Sequence, residues 1–255
     1  MSDGTEPDAS ERNGDQLEAE QDTRFGFTEL ERAGARERAR KAAQAMTLLS
    51  FAATGWCLFY PHPYGWAVGA TALCPLLAFA VTRRFSGLIL LDQKPHEDKQ
   101  RPTAAAAIWL PSCALAMRGM DFDLLHWSNF WAPWLLASAA VTVMLVFSTP
   151  HPRAQKATIA GAAIALLGWA FGVVVHVNCF YDGSIPRLHE ATVADAHVVH
   201  DKRTAYRLQL RPFVDGIGSK EVRVPRPVYE RHPKGSTVEV RVFQGSLHIP
   251  WFYVR

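Results

Sequence analysis

At 255 residues, a net charge of +3 and a mean hydropathy of −0.03, the chain has averages that suit an ordinary soluble protein. Those averages conceal segments: residues 1–43 and 187–255 are polar, whereas 44–178 hold five apolar blocks and nearly all the tryptophans. The small positive charge forms no stripe along which a nucleic-acid backbone would lie, and the four cysteines (Cys57, Cys74, Cys113, Cys179) contain no CxxC and no disulfide framework.

The chain opens on an acidic tail, 1–27. Between Met1 and Thr23 eight Asp/Glu face the single Arg12, with few apolar residues, a composition that predicts disorder. A secretory signal has the reverse pattern, a basic start before an apolar run, so the first spanning helix is expected to direct insertion. Thr28-Glu-Leu-Glu31 has the form of a capping box, in which both side chains satisfy free backbone N–H groups. It opens a basic juxtamembrane helix over 28–43.

A bilayer-spanning helix takes about 20 apolar residues. Five blocks across 44–178 meet that need, over about 42–60, 65–82, 103–120, 130–148 and 157–178. Pro61 and Pro63 end the first, because each lacks a backbone donor and restricts its predecessor. The polar loop 92–102 separates the second from the third, and 149–156 joins the fourth to the fifth. The third block is the weakest, being alanine-rich, holding Pro111 and ending in Arg118. An Arg near a span's end is expected to snorkel to the interface, and alanines let a helix pack closely inside a bundle. Gly65-Trp-Ala-Val-Gly69 and Gly168-Trp-Ala-Phe-Gly172 are small-xxx-small patterns of the kind that permit close approach. Pro75, Pro111 and Pro133 interrupt spans or their ends.

Basic residues near helix ends favour the cytoplasmic side. With the N-terminus inside, Arg32, Arg36, Arg38, Arg40, Lys41, Arg83, Arg84, Lys94, Lys99, Arg101, Arg153 and Lys156 fall on that side, and only Arg118 and Arg187 on the other. This split favours five spans, a cytoplasmic N-terminus and a periplasmic C-terminal domain. Trp66, Trp127, Trp131 and Trp134 at block edges fit an interfacial belt.

Residues 187–255 change period. Tyr206, Leu208 and Leu210 alternate with Arg207, Gln209 and Arg211; Val222 and Val224 alternate with Glu221 and Arg223; Val238, Val240 and Val242 alternate with Glu239 and Arg241. Period two marks half-buried strands. With further strands near 191–199 and 247–254, about five strands are expected, and closure into an OB or SH3-like barrel would remove their edges. The fold class is therefore a membrane all-α helical bundle of about five transmembrane helices with a small C-terminal all-β domain.

No catalytic constellation stands out. His189, His197 and His200 lie close in sequence, but residues three apart on a strand face opposite sides, so His197 and His200 share no metal without a bulge. His176-Val-Asn-Cys179 ends the fifth block at the boundary, where a helix-end role is expected. No Asp or Glu lies within a span, which argues against an ion-coupled transporter. Ser184, Ser219, Ser236 and Ser246 sit in turn-like contexts without a nucleophile-elbow glycine pattern. No residue is assigned as catalytic, cofactor-binding or metal-ligating, and no cofactor is expected. The C-terminal domain carries twelve Lys/Arg against seven Asp/Glu, and so about +5.

The tail Val228-Tyr-Glu-Arg-His-Pro-Lys-Gly-Ser-Thr-Val-Glu-Val240 with Gly245-Ser-Leu-His-Ile-Pro-Trp-Phe-Tyr-Val254 resembles the end of a family of bacterial inner-membrane proteins that pair several spans with a short β-rich tail. That resemblance implies a bacterial inner-membrane location and no particular activity. The order of spans and barrel is also similar to that of membrane proteins whose C-terminal OB barrel is associated with stomatin-like partners. The expected function is that of a non-enzymatic membrane anchor or assembly factor. Its partners would be the lipid bilayer and a membrane or envelope protein met through the β-domain, with no nucleic acid. The alternative is a small-solute permease or channel subunit.

Overall fold

The computed structural model describes residues 29–90, 102–149, 156–200, 204–214 and 216–255. The acidic tail 1–27, Thr28 of the capping box, nearly all of the loop 92–102 and residues 150–155 lie outside the described residues. Five helices come first: α1 (Glu29–Phe59), α2 (Tyr64–Arg84), α3 (Ala105–Gly119), α4 (Trp131–Ser148) and α5 (Lys156–Cys179). A two-residue strand β1 (Asp123–Leu124) lies between α3 and α4. The C-terminal part contributes β2 (Arg187–His200), β3 (Thr204–Leu210), β4 (Lys220–Val224), α6 (Arg226–Arg231), β5 (Thr237–Phe243) and β6 (Trp251–Val254).

Four helical segments, Ala33–Phe59, Tyr64–Arg84, Trp131–Ser148 and Ala157–Cys179, are long and apolar enough to cross a membrane. The third apolar block does not reach that length. It forms a helix of only 15 residues, about 22 Å at 1.5 Å per residue. Its start is held back because Leu90 bridges Thr103 and accepts the Ala104 N–H at 2.9 Å, which keeps 102–104 out of the helix. The basic juxtamembrane segment and the first apolar block are one continuous helix, α1.

Short α3 sits inside the bundle against α1, α2 and α5. Ala107, Ile108, Ser112, Ala114 and Leu115 are all buried. Glycine makes this possible on α5. A Cβ at Gly172 would lie 2.5 Å from the Leu115 carbonyl, and one at Gly168 would touch Ala116 and Ser112. Of the other small-xxx-small pair, Gly65 abuts the Phe180 ring while Gly69 faces open space. Polar side chains in the bundle mostly serve packing. Thr82 and Ser112 donate to the carbonyls four residues back, Thr71 bridges Ala67 and Ala53, and the Trp169 and Trp134 indoles donate to Ala72 and Leu167 carbonyls. The reverse faces carry exposed Leu48, Leu49, Phe51, Leu135, Leu136, Phe147 and Ile164. An apolar exterior around a small-residue interior is what a bilayer solvent selects.

The strands form one sheet in the order β1-β6-β5-β2-β3-β4, antiparallel at every pairing and curled towards a barrel. Long β2 serves both halves: Arg187–Thr192 pair with β5, and Val193–His200 pair with β3. The register shifts between Val193 and Asp195, where an extra residue bends the strand. Inward-facing Ala191, Val193, Leu208, Leu210, Val222, Val240 and Phe252 make the core, lidded by Val228 of α6. The alternation expected from the sequence holds, with two additions. The short helix α6 follows Pro225, and β1 comes from the helical part of the chain.

Candidate functional site at the junction of bundle and sheet

The β-domain stands on the end of the bundle where α1, α3 and α5 finish and where α2 and α4 begin. A polar cluster ties these helix ends together. The Gly172 carbonyl can only accept, so His176 Nδ1 carries the proton it donates there at 2.6 Å. In the neutral ring Nε2 then accepts from the Tyr64 hydroxyl at 2.9 Å. Phe122 closes the edge of the imidazole, and His176 is almost fully buried. Arg118, expected near a span end, has defined partners there. It turns onto the end of α1, donating from Nε to the Cys57 carbonyl and from Nη2 to the Leu58 carbonyl, each at 2.9 Å, while Nη1 pairs with Asp121. These carbonyls are among the four that a helix C-terminus leaves unpaired, and a cation there also complements the helix dipole. Arg83 does the same at the opposite end, donating to the Phe147 carbonyl of α4 at 2.7 Å.

A second set of bonds fastens the sheet. Fully buried Asn178, in the last turn of α5, donates to the Ile249 carbonyl at 2.7 Å and accepts the Leu247 N–H at 3.0 Å and the Ile249 N–H at 3.3 Å. Its backbone carbonyl accepts from Ser246. Gly245 adopts φ +80, and a Cβ there would collide with the Asn178 side chain. Three residues past α5, Asp182 Oδ2 accepts the Gly245 N–H at 2.8 Å and the Trp251 indole N–H at 2.9 Å, while Ser184 donates to both carboxylate oxygens. Partial burial pushes the Asp182 carboxyl up, but the bonds from Ser184, Trp251 and Gly245 outweigh it and the net shift is downward. On the other flank β1 pairs with β6, Asp123 opposite Phe252 and Leu124 opposite Trp251. Leu124 packs with Phe130, Val174 and Ile249 against the bundle, whereas Leu125 joins the barrel core. Asp123 shares the inward side, and burial raises its carboxyl to about 6 against the pull of Lys220.

The three histidines that lie close in sequence, His189, His197 and His200, are dispersed. His189 lies opposite Val240 on the inner face, near the Phe213 ring. His197 faces outward, 3.1 Å from Glu221 and 3.7 Å from Asp195, and His200 ends β2 opposite Thr204. Among the described residues no three His, Cys, Asp or Glu converge as metal ligands would. Ser184, Ser236 and Ser246 hydrogen-bond within or beside their turns. Asn178 belongs to the boundary motif read from the sequence, but its partners 245–249 do not. Asp182, Asp123 and Arg118 had no local signal beyond being polar near a span end. No protein-family model, curated protein or solved structure matches the chain.

Proposed function

We propose that the chain is a non-enzymatic membrane anchor or assembly factor of a bacterial inner membrane, holding its β-domain at a fixed attitude to a protein partner. The observation that carries this reading is the double fastening of the sheet: Asn178 and Asp182 clamp 245–251, and β1 is drawn from the α3–α4 connection. A flexibly tethered domain needs neither. Buried His176 and the half-buried Tyr64 and Arg118 have their hydrogen-bonding groups taken by one another, by helix carbonyls or by Asp121, the use expected of structural groups.

The reading takes α3 as a fifth crossing. Ala104 packs beside Ala43 of α1 at one end, and Arg118 reaches Cys57 and Leu58 of α1 at the other, so α3 covers the depth of the apolar part of α1. Non-helical backbone at 102–104 is acceptable where protein surrounds it. Five crossings with the basic ends of α1 and α2 in the cytoplasm put the β-domain in the periplasm. A phosphatase reporter fused after Arg255 is expected to be active; activity of only a cytoplasmic reporter there sinks the orientation. The sheet is read as OB-type, because the long β2 closes both halves and α6 lies between the third and fourth strands of the C-terminal part.

The outer face of β3 and β4, bearing Arg207, Gln209, Glu221 and Arg223, is the surface assigned to the partner. A photo-crosslinker at Arg223 in native membranes should trap one discrete protein, and Arg207→Glu should abolish the product while the protein stays inserted. A crosslinker that yields only lipid or scattered products overturns the reading. Buried hydroxyls of Ser50, Thr54 and Ser138, which have no hydrogen-bond partner among the described residues, favour the second reading, a permease or channel subunit. Solute flux in proteoliposomes that survives charge reversal on β3–β4 selects it.

A further inference from the structure

We propose that the outer face of β2, β5 and β6 rests in the headgroup layer of the bilayer that the helices cross; the proposal depends on that membrane-crossing reading. The cross-strand register orders this face into rows. Nearest the bundle Phe243 lies opposite Trp251, their rings stacked at 4.5 Å. The next row is Leu188, Arg241 and Tyr253, and the one beyond it carries Glu190, Glu239 and the terminal Arg255. Apolar and aromatic side chains thus dominate the two rows at the base, with Arg241 the one charged member, and charge takes over above them.

Successive rows are two residues, or about 7 Å, apart along a strand. The headgroup region of one leaflet is roughly 5–7 Å deep, half the difference between the full and hydrocarbon thicknesses. The two apolar rows therefore match that layer in height, and the glutamates fall in water. The chain leading into β2 fits the same plane. Ile185 is 90% exposed and Leu188 63% exposed, in a domain whose other large aliphatic side chains are mainly turned inward. Both follow directly on Phe180 and Tyr181 at the end of α5, which are themselves exposed. Trp66 at the start of α2 and Phe59 and Tyr60 at the end of α1 continue the belt around the same end of the bundle. Amphipathic rings are favoured at this depth. Arg241 has its guanidinium 6.0 Å from the Tyr253 ring; its Nε donates to Glu239 at 2.7 Å, which leaves the far end of the guanidinium to meet lipid phosphate. The face is continuous with lipid-facing helix surface, its Arg241 and Arg255 are balanced by Glu190 and Glu239, and its largely apolar height is that of one interface. The occupant is therefore phospholipid headgroup, not a second protein.

The test uses the full-length protein with Cys113→Ser, which removes the exposed native thiol, the other three cysteines being buried. Single cysteines at Ile185→Cys, Leu188→Cys, Glu239→Cys and Leu136→Cys carry an environment-sensitive fluorophore. The protein is placed in nanodiscs of phosphatidylcholine with a minor share of phosphatidylglycerol. Labels at 185 and 188 are expected to lose most of their emission to a headgroup-attached nitroxide and little to aqueous iodide, with the label at 239 showing the opposite. Equal iodide quenching at 185, 188 and 239 overturns the proposal, as does protection of 185 and 188 from both quenchers, which would mean a protein covers them. Leu136, exposed on the flank of α4, separates the two levels of the argument. If its label is quenched by a deep acyl-chain nitroxide while 185 and 188 are not quenched at the headgroup, only this proposal fails. If it too is quenched by iodide, the membrane-crossing reading fails with it.

Discussion

Asn178 grips Ile249 from both sides of the peptide, its Nδ2 donating to the carbonyl at 2.7 Å and its Oδ1 accepting from the N–H at 3.3 Å. One amide side chain thus substitutes for a strand partner on a segment that has none, at a fully buried position. Truncation by Asn178→Ala strands the Ile249 carbonyl and the Leu247 and Ile249 N–H groups. Each unsatisfied buried group costs about 1–3 kcal/mol, so the loss should be several kcal/mol. Amide exchange across 245–249 is expected to accelerate strongly in the purified protein while exchange in α2 and α5 changes little. Unchanged protection at Ile249 would show that the clamp contributes nothing.

Gly245 makes the same joint from the sheet side. Both Gly245 and Gly216 have φ near +80, so alanine strains either by about 1–2 kcal/mol. Only at Gly245 would the new Cβ also strike the Asn178 side chain and the Ile249 carbonyl, since Gly216 has open space. Gly245→Ala should therefore lower the thermal midpoint well beyond Gly216→Ala. Equal shifts would reduce the Gly245 requirement to its backbone angle alone.

Much of the architecture was legible because bilayers and half-buried sheets impose strong periods. Apolar runs marked the helices, and the alternation at Tyr206–Arg211, Glu221–Val224 and Val238–Val242 marked β3, β4 and β5. Where the reading failed, the determinant was tertiary. Two residues, Asp123 and Leu124, have no period to detect, and they become a strand only because β6 reaches them. The start of α3 is set by Leu90, which bridges Thr103 and bonds Ala104, not by the helix propensity of 103–104. Arg118 and Asn178 were visible as polar residues at span ends, the usual place for snorkelling or fraying. What they bind lies about 60 and 70 residues away in sequence, a separation that no local pattern encodes.

Two carboxylates at the junction should give opposite pH responses. The net downward shift at Asp182 means that its contribution is present above the ordinary 3.8 and is lost as pH falls through its lowered folded value. Asp123 is raised, so it binds its proton more tightly in the folded protein, and stability declines as pH climbs from 3.8 to about 6. Asp182→Asn is expected to lower the melting temperature at pH 7 and to converge with the parent in strong acid. Asp123→Asn should raise it at pH 7, by roughly 2–5 °C, and make no difference below 3.8. The same sign for both variants at pH 7 would refute the assignment of Asp123 as a buried, destabilised carboxylate.

The two small-xxx-small patterns offer a matched comparison inside the bundle. Gly172 and Gly69 each close one pattern, and sequence alone ranks them equally. A Cβ at Gly172 would meet the Leu115 backbone carbonyl at 2.5 Å, and backbone in the middle of α3 has no rotamer with which to give way. Gly172→Ala must therefore push α5 off α3, an overpacking penalty of about 1–3 kcal/mol. At Gly69 nothing lies within 4 Å, so Gly69→Ala should gain up to about 1 kcal/mol from helix propensity. Unfolding of the two variants in detergent should separate them with opposite signs. If both are tolerated alike, α3 is not held in the tight groove of α5. The short third helix would then lose the contact that explains why an alanine-rich segment of this length sits at the centre of the bundle.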